Sequence, residues 1–558
     1  MNISNWKLKI FLFLFAFLFL FVLPTYAVTS KTFFVNLYSD PFGRSQIQAN
    51  LIRSTGRIEF YLDDFWYANR FSGNKEKFLQ QINDLSLKAN SEIWPLLSQK
   101  LNTDFSFGPS KEKKLIVLLC PISQDVESYI RKDDGYFKTD YPSSNEAGVI
   151  YLSASLISDQ TIDRLSYYLA HELTHLITFE LKEKPNNVKE DIWLNEARAE
   201  YAGTLLGYDQ NWQTSNLKRR ATDFLNLKTF SLLNWENKPE NYATVNFLMQ
   251  YLVGQYGEKI WVDTLRSKGI GIQSLNDFFN ANGNRITFSN VFTNWLIASA
   301  VNDCSLGNQY CYSNPLLRNL VVFPANYYLP SQNLSSMSIQ DTLKVWGAKW
   351  QKIVGGQGSL RLEFTSYTNK PGQILPYIVI KQDGKKSINS VPLSYNVASK
   401  VIISDFNGQN AAFVFIPNIF DDSLKETKTS NYSYAWNAVN TSNARSEEEA
   451  KRAEQLIIDQ LQAEVDRLTK ILANLIAQRS LSCPVFNQDL YYGLENNASV
   501  KCLQKFLKEK YPNFYQTDIT GNYYFLTQIA VTKYQALKGL PQTGYFGPMT
   551  QAKVNAER

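Results

Sequence analysis

Apolar and polar positions change rhythm several times along this chain, and each change marks a different kind of structure. Between about 46 and 325, short apolar runs alternate with longer stretches of three-and-four spacing. "RIEFYL" (57–62), "KLIVLLC" (114–120) and "GVIYLSA" (148–154) read as strands, with a helical stretch around 75–102 between the first two. Helical spacing then dominates over 161–181, 190–206, 242–256 and 258–268. The expectation is an α+β domain over 28–330 with a helical second half.

From 335 to 440 the helical spacing disappears. "SLRLEFTSY", "YIVIKQDG", "KVIISDF" and "AAFVFIP" are strands bounded by Gly, Asn and Asp, which predicts an all-β, sandwich-like domain. Over 446–480, Ile458, Leu461, Val465, Leu468, Leu472 and Leu475 alternate steps of three and four between charged flanks, a heptad seam. That is either a single helical stalk or a coiled coil that joins two copies as a homodimer. The last segment, 483–556, is built twice over: "TGNYYFLTQIAV" (520–531) and "TGYFGPMTQAKV" (543–554) each read as a turn leading into a helix capped by Thr527 or Thr550. The predicted fold class is therefore multidomain, ending in a small all-α module.

Composition adds compartment. The chain has 558 residues, 44% hydrophobic and 19% charged, with a net charge of +6. No Lys/Arg stripe with interleaved aromatics occurs, so nucleic acid is set aside. Lys7 and Lys9 precede an unbroken apolar run from Ile10 to Leu23, with a small residue at Ala27. The run is short of the roughly 20 residues a spanning helix needs and suits a signal peptide over 1–27; an uncleaved anchor is the other reading. The mature protein is expected to be secreted. Whether residues 28–45 form a removable pro-segment stays open. Five cysteines fit an oxidising setting: Cys304 with Cys311, and Cys483 with Cys502, are plausible disulfides, and Cys120 reads as a buried free thiol.

The chemistry concentrates in "LAHELTHLI" (169–177). It holds both histidines of the chain, His171 and His175, four residues apart. On a helix, i and i+4 share one face, so both imidazoles can meet one ion. Zinc needs a third protein ligand and an open position for water, and Glu172 beside that position can act as general base. "EDIWLNEARAEYAGTLLG" (190–207) offers the third ligand, Glu196, with Glu200 one turn on, placed to hydrogen-bond the free nitrogen of a histidine. Taken alone, the two glutamates would be a solvated helix face, but Ile192, Trp193, Leu194 and Ala197 flank them.

"HELTH" followed by "WLNEARAEY" resembles the gluzincin metallopeptidases, the thermolysin-like group with an HExxH helix and a downstream NExxx[DE] helix. "DGYFKTDYPSSNEAGVIYL" and "NYATVNFLMQYLVGQYG" resemble secreted gluzincins of the hyicolysin-like kind. The resemblance implies a peptide-bond hydrolase with Zn2+ on His171, His175 and Glu196, Glu172 as base and Glu200 behind the ligands. It also implies that "GVIYLSA" is the edge strand that pairs with substrate. Thermolysin's additional histidine has no counterpart. Other gluzincins use a tyrosine to stabilise the oxyanion, which makes Tyr242 the candidate, with Tyr201 and Tyr251 as alternatives.

"SVKCLQKFLKEKY" and "ITGNYYFLTQIAVTKYQALKGLPQTGYFGPMTQAKV" resemble the peptidoglycan-binding domain of cell-wall hydrolases, although "TGNYYFLT" lacks the Gly-Pro of "TGYFGPMT". The combined expectation is a secreted zinc metallopeptidase held at the cell wall and acting on protein or peptide substrates. The alternatives are an endopeptidase for the wall's own cross-links and a non-catalytic wall-bound scaffold or adhesion protein.

Overall fold

The structure is a computed structural model that describes residues 29–111, 114–123, 126–283, 285–331, 335–370, 372–421, 430–441, 455, 458–472 and 483–558. The predicted signal segment and most of 446–457 and 473–482 lie outside the described residues. The chain divides between Arg445 and Ser446 into two compact units. No helix among the described residues is long and apolar enough to cross a membrane.

The first unit opens with a six-stranded mixed sheet. Its strands are β1 (Ser30–Phe34), β2 (Gln46–Thr55), β3 (Ile58–Asp63), β4 (Leu115–Cys120), β5 (Ser128–Ile130) and β6 (Gly148–Ser153), in the order β1-β2-β3-β4-β6-β5. β4 and β6 are buried at every position and pair in parallel, which is why they read as unbroken apolar runs. Successive side chains serve opposite faces. Val117, Leu119, Ile150 and Leu152 join the helical core, while Ile116, Leu118, Val149 and Tyr151 pack with Phe33 on the other side.

One expectation is corrected here. "GVIYLSA" is not the edge: β6 lies between β4 and β5, and the last strand is Ser128–Ile130, a three-residue piece too short to announce itself by periodicity. The segment 28–45 contributes β1, whose Phe33 is fully buried and whose Phe34 exchanges hydrogen bonds with the Asn145 side chain.

The helices form where the spacing placed them. The motif helix, Ile162–Thr178, starts where Thr161 Oγ1 accepts from the Arg164 N–H and is buried at all positions from Leu165 to Thr178. It runs through a π-turn at Phe179–Glu183 and a short helical turn to Asn187 in the left-handed region (φ 51°), and the chain then turns back into the helix Ile192–Leu205. Gly203 lets the two helices approach closely: a Cβ there would lie 2.4 Å from the Tyr167 ring.

A buried ion cluster fastens this turn. Glu190 Oε2 accepts from Lys182 Nζ at 2.7 Å and from Arg198 Nη1 at 2.8 Å, all three side chains fully buried. Its other oxygen accepts from the Gly271 and Asp191 N–H groups. Lys182 also donates to the Thr264 carbonyl, and Glu183 accepts from the Glu190 N–H. The cluster thus ties both ends of the turn to the neighbouring helices.

The all-β part comprises a nine-stranded sheet with its own apolar core, and its strand Gly358–Ser366 alternates buried and half-buried residues. It begins earlier than the expected 335, because Ala325–Leu329 pairs in parallel with Gln351–Gly355. The expected break at 330–335 falls inside one packed region. Thr229–Ser231 from the helical half pairs with Gly347–Lys349, Trp346 and Trp350 lie in the helical core, and Trp350 Nε1 donates to the Leu296 carbonyl. The cysteines pair as expected, Cys304–Cys311 and Cys483–Cys502, with Cys120 free and buried.

In the second unit, 458–472 is helical and its seam residues Ile458, Leu461, Val465, Leu468 and Leu472 are exposed. The module that follows packs the helices Ala498–Lys510, Phe525–Leu537 and Pro548–Ala556 around Val500, Leu503, Val531, Tyr534 and Phe546. The duplicated turns are braced alike. Gln504 Nε2 donates to Thr527 Oγ1 and the Asn522 carbonyl while its oxygen accepts from the Gly521 N–H; Gln535 makes the same set with Thr550, Tyr545 and Gly544. The threonines are therefore not caps, as expected from the sequence, but buried partners of these glutamines.

The ion cluster makes a definite prediction. Glu190→Ala leaves Lys182 and Arg198 buried without their shared anion and should destabilise the first unit by about 3–5 kcal/mol. Replacing all three by apolar residues of similar size should restore most of that, as read by chemical denaturation.

Candidate metal site

His171, Glu172 and His175 sit on one stretch of a helix whose other faces are packed, so their side chains can turn only toward the cleft beside β5. Glu196 approaches from the second helix. Its Oε2 is 3.4 Å from His171 Nε2 and 3.5 Å from His175 Nε2, and the two imidazole nitrogens are 3.2 Å apart. Three ligand atoms thus lie within 4.8 Å of one another, the one such metal-ligand cluster among the described residues. Two observations fit a metal ion at their centre. Glu196 Oε2 is buried without a hydrogen-bond partner, an expensive condition for a carboxylate oxygen unless a cation completes it. His175 Nδ1 faces Asn195 Oδ1 at 3.1 Å; since that oxygen accepts, the neutral ring would carry its proton on Nδ1 and leave the Nε2 lone pair for a metal.

The charges of the three groups are strongly coupled. Burial alone would raise the Glu196 carboxyl, but the facing His175 and His171 imidazoles override it and hold it well below the carboxylate range. Burial alone would lower the His175 imidazole, and the Glu196 carboxylate instead carries it up to about 9.

Glu172 lies one residue from a ligand without joining the cluster. Its Oε1 accepts from Ser128 Oγ at 2.8 Å, so the edge strand β5 fixes the carboxylate on the open side of the site. The cleft encloses about 750 Å³ and is lined by β5, by both helices and by Arg219, Arg220 and Tyr242.

Glu200 takes a different role from the one expected. Its Oε1 is 3.8 Å from His171 Nδ1, beyond a hydrogen bond. It is bound in bidentate fashion by Arg220 at 2.5 and 2.8 Å, with Asn216 Nδ2 at 3.1 Å. Burial would raise its carboxyl, and Arg220 brings it down to about 2. The residue that holds a histidine's free nitrogen is Asn195, adjacent to Glu196 in sequence.

Among the tyrosines, Tyr242 lines the cleft. Its hydroxyl donates to Asn237 Oδ1 at 2.6 Å, and the Arg220 guanidinium lies 4.8 Å over its ring. Burial, reinforced by the charges of Glu196 and Glu200, raises its phenol, which therefore stays a donor. Tyr251 is committed elsewhere, with its hydroxyl on the Gln309 carbonyl. Tyr201 packs in the core, away from the cleft lining. Ser128, Asn195 and Arg220 were not singled out from the sequence. Only Asn195 carried a signal, its place directly before Glu196.

Comparison with known proteins informs the C-terminal end. No curated protein matches the chain. Among solved structures, the chain is similar to the Yersinia pseudotuberculosis-derived mitogen at 10% identity, over 20% of this chain and 90% of that one, with a TM-score of 0.13. It is similar to protein SO0799 from Shewanella oneidensis at 12% identity, over 20% of this chain and 59% of that one, with a TM-score of 0.13. It is also similar to a family GH115 4-O-methyl-alpha-glucuronidase with specificity for decorated arabinogalactans, at 9% identity, over 55% of this chain and 47% of that one, with a TM-score of 0.14. The chain spans less than two thirds of the latter two, and likenesses this slight carry no argument. Residues 496–554 match the family model described as "Putative peptidoglycan binding domain". The C-terminal module thus carries a peptidoglycan-binding domain over 496–554, which supports an association with the cell wall.

Proposed function

We propose that the chain is a secreted zinc metallopeptidase of the gluzincin kind, kept at the wall by its C-terminal module. The observation that carries this reading is the convergence of His171, His175 and Glu196 beside a Glu172 that is held apart from them by Ser128. Two imidazoles and one carboxylate are a donor set that suits zinc and leaves a coordination position open. When bound, zinc would supply Lewis acidity, polarising a carbonyl and making water a better nucleophile at neutral pH.

The chain's own residues do the rest. β5 is the last strand of its sheet and lines the cleft, so an extended peptide can add to it as a further strand, its scissile carbonyl directed toward the ligand cluster. Glu172 accepts a proton from the attacking water as the new C–O bond forms. It then delivers that proton to the amine as the C–N bond breaks. The Tyr242 phenol donates to the carbonyl oxygen as negative charge grows there. Arg220 keeps Glu200 ionised and packs on the Tyr242 ring, coupling the support of the ligand helix to the position of the phenol.

The peptidoglycan-binding module supports a second reading, in which the peptide cut is the wall's own cross-link. New free amines from purified sacculi would select it, and turnover of casein without them would select a protein substrate.

Three outcomes test the proposal. Glu172→Gln should lower casein turnover by about 10²–10⁴-fold while retaining stoichiometric zinc, whereas His175→Ala should lose both; equal turnover by Glu172→Gln and wild type would falsify the assignment of the base. Tyr242→Phe should reduce kcat by about 10²–10³-fold with little change in KM, because its hydrogen bond strengthens only in the transition state. Removal of residues 483–558 should abolish co-sedimentation with purified sacculi and leave casein turnover intact.

A further inference from the structure

The C-terminal module carries four exposed tyrosines gathered at one turn. Tyr491, Tyr492, Tyr524 and Tyr545 are 51%, 56%, 38% and 42% exposed. The rings of Tyr491 and Tyr545 stack 6.5 Å apart, and those of Tyr492 and Tyr524 lie 5.8 Å apart. Tyr491 and Tyr492 are neighbours in a turn closed by the Leu494 N–H on the Tyr491 carbonyl, so a single peptide bond links the two ring pairs. Each pair is also tied to a carboxylate. The Tyr545 hydroxyl donates to Asp489 Oδ2 at 2.5 Å, and the Tyr524 hydroxyl donates to Glu495. Asp489 is held in turn by Gln551 Nε2 at 2.7 Å on its other oxygen.

Single exposed aromatics are ordinary on a protein surface, but a patch of paired rings, oriented by their own hydrogen bonds, marks an interaction site. The chemistry selects the partner. An electron-rich ring face suits the electropositive C–H face of a pyranose, and large rigid rings give contact area at low entropic cost. The fixed carboxylates accept hydrogen bonds from sugar hydroxyls and N-acetyl N–H groups, whereas they repel the carboxylates of a stem peptide. Two ring pairs joined through adjacent residues also offer more contact to a chain-like ligand than to a single small group.

We propose that this four-tyrosine surface is the module's glycan site, taking the N-acetylated amino-sugar chain of the wall rather than its peptides. The inference rests on the peptidoglycan reading of the module and extends it. Asp489, Tyr491, Tyr492 and Glu495 all precede the matched residues 496–554, so four of the surface's six tyrosines and carboxylates lie outside the family match. The turn "TGNYYFLT", which lacks the Gly-Pro of its repeat, puts Tyr524 where that dipeptide would begin and so supplies a ring in its place.

The test uses the full chain carrying Glu172→Gln, so that the wall is not cut, with two probes: intact sacculi, and glycan strands freed of stem peptides. Both should bind. The double variants Tyr491→Ala/Tyr545→Ala and Tyr492→Ala/Tyr524→Ala should each weaken binding at least about tenfold, while Leu537→Ala, equally exposed on the same module, should not. Saturating glycan should also protect the four tyrosines from nitration, a readout that needs no tyrosine variant to fold. Unchanged binding by both double variants, or full nitration under saturating glycan, overturns the surface and leaves the peptidoglycan reading standing. Binding to sacculi that vanishes once stem peptides are removed overturns the choice of sugar. A parent chain that does not bind sacculi at all overturns the surface together with the reading beneath it.

Discussion

Glu190 is the residue on which the candidate site depends. A two-helix ligand set works only if the helices meet at a fixed angle and register, and the chain between them reverses through a π-turn and a left-handed asparagine. Nothing in such a turn is rigid by itself. The shared carboxylate supplies the constraint, joining Lys182 on the near side of the turn to Arg198 on the far side, two residues past Glu196. Burying three charges is costly, and the arrangement holds because each keeps its partner, with Glu190 and Lys182 also bonded to backbone. Gly203 then sets the distance, letting the Tyr167 ring sit against bare backbone. The convergence of Glu196 on two imidazoles is a consequence of those two features.

Much of this was legible in the sequence wherever the signal is local. His171 and His175 share a face because of helix geometry alone, and an i, i+4 spacing survives any tertiary context. The buried strands β4 and β6 were visible because parallel strands covered on both faces are apolar throughout. What was not legible is what depends on partners distant in the chain. Ser128 reaches Glu172 from a strand of three residues, and no periodicity can be read in three residues. Glu200 stands 3.8 Å from His171 Nδ1 without a hydrogen bond, because Arg220, a residue from a separate helix, offers its carboxylate a charged, two-pronged partner. The same limit misplaced the sheet edge, since strand order is a property of pairing and not of composition.

The C-terminal module shows the opposite balance. Its repeat was plain in the sequence, and Gln504 and Gln535 explain why so much of the repeat is retained: each buried amide must satisfy a glycine N–H, a carbonyl and a threonine hydroxyl at once. That is a folding requirement, so the matching positions say little about what the module binds. Ligand contacts have to be sought where the copies differ. Tyr545 in one copy stands where Asn522 stands in the other, and Tyr524 stands opposite Gly547. Symmetry in the braces together with asymmetry in the exposed rings suits the proposed glycan surface, because a glycan strand has no twofold axis.

A wall-binding module changes what the proposed catalytic cleft has to achieve. Binding to a polymer turns the encounter with anything fixed to that polymer into an intramolecular event, with an effective concentration on the order of millimolar for short connections. A cleft supplied in that way gains little from tight ground-state binding, and its interactions are better reserved for the transition state. The geometry is consistent with that division. Two groups that line the cleft, Glu172 and Tyr242, are held by Ser128 and Asn237, while β5 offers an incoming peptide only backbone pairing along a three-residue edge. Selectivity of place would then come from the tyrosine surface, and selectivity of bond from the cleft. Those two proposed functions need no shared residues, which is why a module with its own folding requirements can be joined to a unit proposed to be catalytic without either compromising the other.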